Sequence, residues 1–142
     1  MMEESGVAVH SFTAALGDTR LHFYVLKLQD SFLIWVGHGS GFHDLSSAML
    51  TRYSTTPVST QIMGATESMV SQNIATRLSK RSGKQVFFSL NCSIQSPQIA
   101  AWAESRIVQE MEEHPEYFGL PPKLQDLANV TAELTVSSDG ER

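Results

Sequence analysis

The sequence predicts an α+β fold, built as a six-stranded, mainly antiparallel sheet with two helices packed on one face. Five segments with the composition of β-strands precede any helical pattern. After Gly64 the apolar residues recur every four positions, which is typical of an amphipathic helix. One more strand and one more helix complete the predicted fold.

The first three predicted strands are apolar runs joined by tight turns. Val7 to Leu16 is rich in β-branched and aromatic residues, and the Gly-Asp pair that follows it is typical of a hairpin turn. Leu21 to Leu28 carries apolar side chains on both faces, because successive strand residues point to opposite sides. Phe32 to Val36 is continuously apolar and also offers both faces for burial.

The fourth and fifth predicted strands are Leu45 to Tyr53 and Val58 to Met63. Thr56 and Pro57 lie between them, and proline lacks the N–H group that a sheet ladder uses. We therefore expect Pro57 at the start of the fifth strand. The sixth strand, Lys84 to Leu90, follows the first helix.

The first helix is predicted from Gly64 to Arg81. Thr66 can cap it, Glu67 suits the positive end of the helix dipole, and Gly83 follows its last turn. Its core stripe consists of Val70, Ile74, Ala75 and Leu78.

The second helix is predicted to begin at Ser96 and Pro97, a capping residue followed by proline in the first turn, and to end before Pro115. Trp102 lies off its core stripe, so it is a candidate either for the buried edge of the core or for a protein contact. The stripe itself consists of Ile99, Ala100, Ala103, Ile107 and Met111.

The acidic stretch from Glu110 to Glu116 lies at the end of the second helix. Paired carboxylates can carry out acid-base catalysis, but at a helix end they indicate first a solvated acidic face. We expect Arg106 to pair with Glu110 one helical turn away.

The size and composition indicate a single globular domain. The chain has 142 residues, of which 42% are hydrophobic and 18% are charged, and this length suffices to bury a substantial core. The domain is predicted to span residues 1–119. Residues 120–142 contain a Pro-Pro break and a polar end, so we expect a flexible C-terminal tail.

The charge balance argues against nucleic acid and membranes as partners. The formal net charge is −5, so the positive surface that attracts phosphates or anionic lipids is missing overall. The single cysteine, Cys92, excludes an internal disulfide and is expected to be a small buried hydrophobic residue. The start MMEESG lacks the pattern of a secretory signal, so we expect the protein in the cytosol or the nucleus.

The loop GHGSGFHD at residues 37–44 is the sharpest enzymatic pattern. It is not a phosphate-binding loop, because no lysine follows, nor a nucleophile elbow, because Ser40 lacks glycines two positions away on either side. A small hydrolase using Ser40, His43 and Asp44 is the alternative, although neighbours in one short loop rarely converge as a triad. The glycines are better explained as a flexible exit from the third strand. No metal or cofactor is predicted.

The strongest functional indication is the amount of apolar sheet surface. Two helices can cover one face of the sheet, yet the second and third strands are apolar on both faces. A large apolar patch on a soluble protein usually marks a protein interface, so we predict a protein partner on the uncovered face. The candidate partner-binding residues are Phe23, Tyr24, Val25, Leu26 and Trp102.

Four sequence blocks resemble the proteasome assembly chaperone 4 family. They are FLIWVG at 32–37, RYSTTPVST at 52–60, NIATRLSKRSGKQVFFS at 73–89 and ESRIVQEMEEHPEYF at 104–118. The resemblance implies a non-catalytic chaperone that pairs with proteasome assembly chaperone 3 and holds proteasome α-subunits in order while the α-ring of the 20S core particle forms. A scaffold subunit in membrane trafficking, of similar architecture, is a further alternative.

Overall fold

The computed structural model describes residues 7–64, 69–92 and 96–122. In this part of the chain a six-stranded sheet and two α-helices form two layers. In chain order the elements are β1 (Ala8–Leu16), β2 (Thr19–Leu28), β3 (Ser31–Gly37), β4 (Leu45–Thr51), β5 (Ser54–Met63), α1 (Val70–Ser82), β6 (Gln85–Asn91), α2 (Pro97–Glu113) and a 3-10 helix (Pro115–Phe118).

The sheet has the strand order β1-β2-β3-β6-β4-β5. Only β3 and β6 run parallel, and every other neighbouring pair of these strands runs antiparallel, so the predicted mainly antiparallel sheet is confirmed. The parallel pair arises because the chain crosses over through β4, β5 and α1 before β6 enters the middle of the sheet. β3 and β6 are therefore flanked on both sides and are largely buried.

Both helices lie on the same face of the sheet, as predicted. α1 packs against β4, β5 and β6. α2 reaches β1 and β2, where Trp102 meets Phe23 edge-on and Arg106 lies over the ring of Phe12. Burying the facing side chains between the two layers is the main source of stability. The fully buried residues include Phe23, Phe32, Ile34, Ile74, Leu78, Phe88 and Ile107.

The two helices differ in how their ends are capped. α1 begins at Val70 rather than Gly64, without a side-chain cap at Met69, and the predicted roles of Thr66 and Glu67 lie outside the described residues. Its predicted end is confirmed, because Gly83 adopts the left-handed conformation with φ 72°. The predicted start of α2 is confirmed as well, since Ser96 Oγ accepts a hydrogen bond from the N–H of Ile99 at 3.1 Å.

The hairpin of β4 and β5 differs from the predicted one. β5 begins at Ser54 rather than Val58, so Arg52 and Tyr53 form the turn and Pro57 lies inside the strand. An edge strand tolerates proline because half of its N–H groups have no ladder partner. β5 is an edge strand because it comes last in the strand order of the sheet, and the sequence alone does not give that order.

The end of the described chain packs onto the sheet. Phe118 is fully buried and meets Phe32 edge-on, with 5.4 Å between ring centroids. The predicted tail begins two residues later, and beyond Pro122 it lies outside the described residues. None of the described helices is long and apolar enough to cross a membrane.

Candidate protein-binding surface

The helix-free face is the side of the sheet opposite α1 and α2. Strand pairing aligns two rows of side chains across it. The first row consists of Val9, Leu26, Leu33, Phe87, Ser47 and Thr60. The second row consists of Ser11, Tyr24, Trp35 and Ser89. Neither row contains a charged side chain, and the first row is apolar over its first four strands.

Apolar side chains on the helix-free face are open to solvent over much of its width. Val9 near one edge is 55% exposed, and Val58 on the opposite edge strand is 56% exposed. Tyr24 and Met49 are each 46% exposed. The half-buried side chains between them are Leu26, Leu33 and Phe87. An apolar patch of this breadth is the kind of surface that binds another protein.

The glycine-rich loop closes one end of the helix-free face. Trp35 is only 9% exposed. Its ring meets Tyr24 edge-on with 5.6 Å between centroids, and its Nε1 donates a hydrogen bond to the carbonyl of Gly41 at 3.0 Å. The N–H of His43 donates to Asn91 Oδ1 at 2.6 Å. The loop therefore covers a buried tryptophan and is tied to β6.

Asp44 fastens the end of this loop to α1 and β6. Its carboxylate accepts hydrogen bonds from the Ser71 hydroxyl and from the N–H of Leu90, the latter at 3.0 Å. Asp44 is thus engaged away from His43, and among the described residues no hydrogen bond joins Ser40 to His43. The loop that motivated the hydrolase alternative contains no assembled triad.

Gly37 is required by the close approach of β3 and β6. A Cβ atom there would clash with the backbone carbonyl of Asn91, its partner in the parallel pair. We expect Gly37→Ala to lower the free energy of unfolding by about 2 kcal/mol, because overpacking forces the backbone to shift. Urea unfolding measures this loss. Ser40→Ala, in the exposed part of the same loop, should change stability by less than about 0.5 kcal/mol, and equal losses would contradict the role given to Gly37.

The structure separates the five sequence-predicted partner residues into two groups. Phe23 and Val25 point toward the helices and are 0% exposed, so they belong to the chain's own core and not to its surface. Trp102 is half-buried and covers Phe23 from the helix side. Tyr24 and Leu26 lie on the helix-free face, because neighbouring residues of a strand point to opposite sides. Contact of these two residues with a partner stays a prediction.

Further residues of the helix-free face are not singled out by the sequence. They are Val9, Leu33, Met49, Val58 and Phe87. Each lies in or at the start of a predicted strand, but alternation alone does not show which face the helices cover. The missing information is the pairing of β3 with β6, which sets Leu33 opposite Phe87.

Glu110 corrects the prediction of a solvated acidic face. It is only 5% exposed, and its carboxylate lies 2.9 Å from His10 Nε2 and 2.9 Å from Arg106 Nη1. The imidazole of His10 stacks on Tyr117, with 3.8 Å between ring centroids. The predicted pairing of Arg106 with Glu110 is therefore confirmed, and β1, α2 and the 3-10 helix meet at this cluster.

The ionisation of Glu110 reflects two opposing effects. Burial by itself raises the pKa of this carboxyl, because the charged form loses its hydration. The contacts with His10 and Arg106 act in the other direction and together outweigh burial, so the pKa of Glu110 lies below its ordinary value. The residue is thus a buried carboxylate held between a histidine and an arginine, which suits a structural role.

Cys92 is buried at the end of β6, as expected. Burial, and to a smaller extent the charge of Asp44, raises the pKa of its thiol. A thiol that stays protonated is a weak nucleophile. The cysteine therefore adds to the core and not to a reactive site.

A two-layer α+β fold with apolar side chains open to solvent on the helix-free face of its sheet defines a protein-binding module. The chain belongs to the proteasome assembly chaperone 4 family, whose model matches residues 20–92. Over 112 residues it is 40% identical to proteasome assembly chaperone 4 from Homo sapiens. The aligned region covers 79% of this chain and 91% of the human protein. Members of this family are non-catalytic chaperones.

Two further comparisons agree with this family. Proteasome assembly chaperone 4 from Mus musculus is 38% identical over 115 residues, covering 81% of this chain and 94% of the mouse protein. Among solved structures, a chain from the crystal structure of a chaperone complex for yeast 20S proteasome assembly matches with a TM-score of 0.56, covering 78% of this chain and 95% of that chain. At 14% sequence identity the yeast structure supports the fold alone.

Proposed function

We propose that this protein promotes assembly of the 20S proteasome as one half of a heterodimer with a related small chaperone, proteasome assembly chaperone 3. In this proposal the pair holds α-subunits in order while the α-ring forms, and it works in the cytosol and the nucleus. The single observation that carries the proposal is the row of apolar side chains on the helix-free face of a member of this chaperone family.

The helix-free face suits a partner that also presents a sheet. Two sheets that pack face to face interdigitate the side chains of their inner faces about 10 Å apart. Four neighbouring strands each contribute one apolar side chain to the first row, namely Val9, Leu26, Leu33 and Phe87. Both solved and sequence relatives are named for proteasome assembly, and the yeast structure is of a chaperone complex.

The α-subunits would then bind to surfaces that remain open after the two chaperones have paired. A chaperone that must leave before the particle matures needs contacts of moderate affinity, and buried area alone does not fix affinity. The helix layer and the edges of the sheet are the parts of this chain that such pairing would leave accessible.

The proposed function is tested by purifying the tagged full-length chain from a eukaryotic lysate of its source organism and identifying the co-purifying proteins by mass spectrometry. We expect a second small chaperone together with proteasome α-subunits, and little of the mature particle. A lysate expressing the tag alone is the control. Recovery of neither kind of protein, from bait shown to be folded by circular dichroism, would refute the proposal.

A further inference from the structure

The outer layer of the molecule contains a groove between α1 and α2, on the opposite side from the helix-free face. One part of it has a volume of about 420 Å³ and is lined by Arg77, Leu78, Lys80, Arg81, Glu104 and Val108. An adjoining part of about 200 Å³ runs toward the start of both helices and shares Arg77 and Glu104 with the first. The two parts are thus neighbouring segments of one groove along α1.

The floor and the walls of this groove differ in chemistry. Val108 is half-buried and supplies the accessible apolar floor of the larger part, whereas Leu78 beside it belongs to the buried core. Arg77, Lys80 and Arg81 are exposed cationic walls. The guanidinium of Arg77 already donates two hydrogen bonds to the Glu104 carboxylate, each at 2.7 Å. Within the described ranges, Lys80 and Arg81 form no ion pair. Two uncompensated cations therefore stand beside an apolar floor.

The location of this positive charge is unusual for the chain. The protein carries 15 acidic against 10 basic residues, and three of those basic residues line this one groove. Lys80 and Arg81 do complement the negative end of the α1 dipole. That role needs neither the apolar floor nor the open volume beside them.

We propose that this groove is a second docking surface, which binds an acidic peptide segment of a partner protein that also carries an apolar side chain. Carboxylates of the segment would pair with Lys80 and Arg81 while its apolar side chain packs on Val108. Nucleic acid is a poorer match, because the apolar floor offers nothing to a phosphate backbone and the rest of the chain is acidic. The proposal is independent of the helix-free face, which lies on the other side of the sheet.

The test uses the full chain and a fluorescein-labelled synthetic peptide in which glutamates flank leucines, with binding measured by fluorescence anisotropy. Saturable binding is expected, and it should weaken as salt is added. In Lys80→Glu/Arg81→Glu the affinity should fall by about tenfold or more. The matched control Arg20→Glu/Arg52→Glu makes the same change in net charge at exposed positions outside the groove, and it should change the affinity by less than about twofold.

Two further measurements keep the test decisive. Val108→Ser should also lower the affinity of the chain for the Glu-Leu peptide, because the variant loses the apolar contact. A peptide of glutamates alone should bind the unaltered chain less tightly for the same reason. If the double reversal unfolds the chain, Lys80→Gln/Arg81→Gln replaces it. The proposal is overturned by an absence of saturable peptide binding, by equal losses in the groove and control variants, or by single-stranded DNA of equal charge binding as tightly as the peptide.

Discussion

Tyr24→Asp/Leu26→Asp is expected to weaken binding of the partner chaperone by roughly 100-fold or more while the chain remains folded. Both side chains lie on the helix-free face, where Tyr24 is 46% exposed and Leu26 is half-buried. In the free protein the new carboxylates would stay in contact with water. In a sheet-to-sheet interface they would be buried in two neighbouring rows that contain no charged side chain to pair with, and that desolvation opposes association.

The opposite face of the same strand gives a contrasting result. Phe23 and Val25 are 0% exposed beneath α2, so Phe23→Asp/Val25→Asp should unfold the chain and not merely release the partner. Ser105→Asp/Gln109→Asp adds the same charge on the exposed side of α2 and serves as the matched control for binding. Isothermal titration with the purified partner measures the affinities, and circular dichroism reports folding. A folded Tyr24→Asp/Leu26→Asp variant that keeps the affinity of the unaltered chain would refute the assigned interface.

The alternation in β2 shows how far the sequence determines this surface. Phe23 and Tyr24 are both large and aromatic, and period-2 alternation places them on opposite faces without any structure. Which face the helices cover depends on the crossover that brings β6 beside β3. That is a long-range pairing, so the sequence predicts two apolar faces but does not distinguish the core face from the open one.

Pro57 and the glycine-rich loop illustrate the same limit. Because proline has no N–H group, Pro57 is restricted to a backbone position that needs no ladder hydrogen bond, and an edge strand satisfies that requirement as well as a strand start does. The spacing of residues in the loop was enough to exclude a phosphate-binding loop and a nucleophile elbow. Its actual role, covering Trp35 and bonding to Asn91, required knowledge of residues far apart in the chain.

Glu110 is the position where local reasoning gave the wrong environment. It lies three residues after Ile107 and seven after Ala103, both of which are fully buried, so helical spacing already places it on the core side of α2. Its acidic neighbours suggested solvent instead. The partner that makes burial tolerable is His10 on β1, which is 100 residues away in sequence and brought close only by the fold.

Removing the charge of Glu110 should therefore destabilise the protein in a pH-dependent way. Glu110→Gln leaves His10 and Arg106 facing a neutral amide. The replaced side chain is only 5% exposed, so water can do little to compensate. We expect a loss of about 1–3 kcal/mol in the free energy of unfolding at about pH 7. Because the side chains of His10 and Arg106 both keep some contact with water, the loss should be smaller than for a cluster sealed from solvent.

The sign of the pH dependence follows from the lowered pKa of Glu110 in the folded state. A carboxyl with a folded pKa below its unfolded pKa contributes stability that is fully present above the unfolded value and is lost as the pH falls through the folded value. The stability difference between Glu110→Gln and the unaltered chain should thus shrink as the pH falls below the unfolded pKa of the carboxyl, because the unaltered chain then loses the stability that the carboxylate contributes. Urea unfolding at about pH 7 and about pH 3.5 measures this difference at each pH.

The control is Glu112→Gln, which changes an exposed neighbour on α2 and should cost less than about 0.5 kcal/mol at either pH. A Glu110→Gln loss that matches this control at neutral pH, or that grows in acid, would show that the carboxylate does not hold β1 against α2.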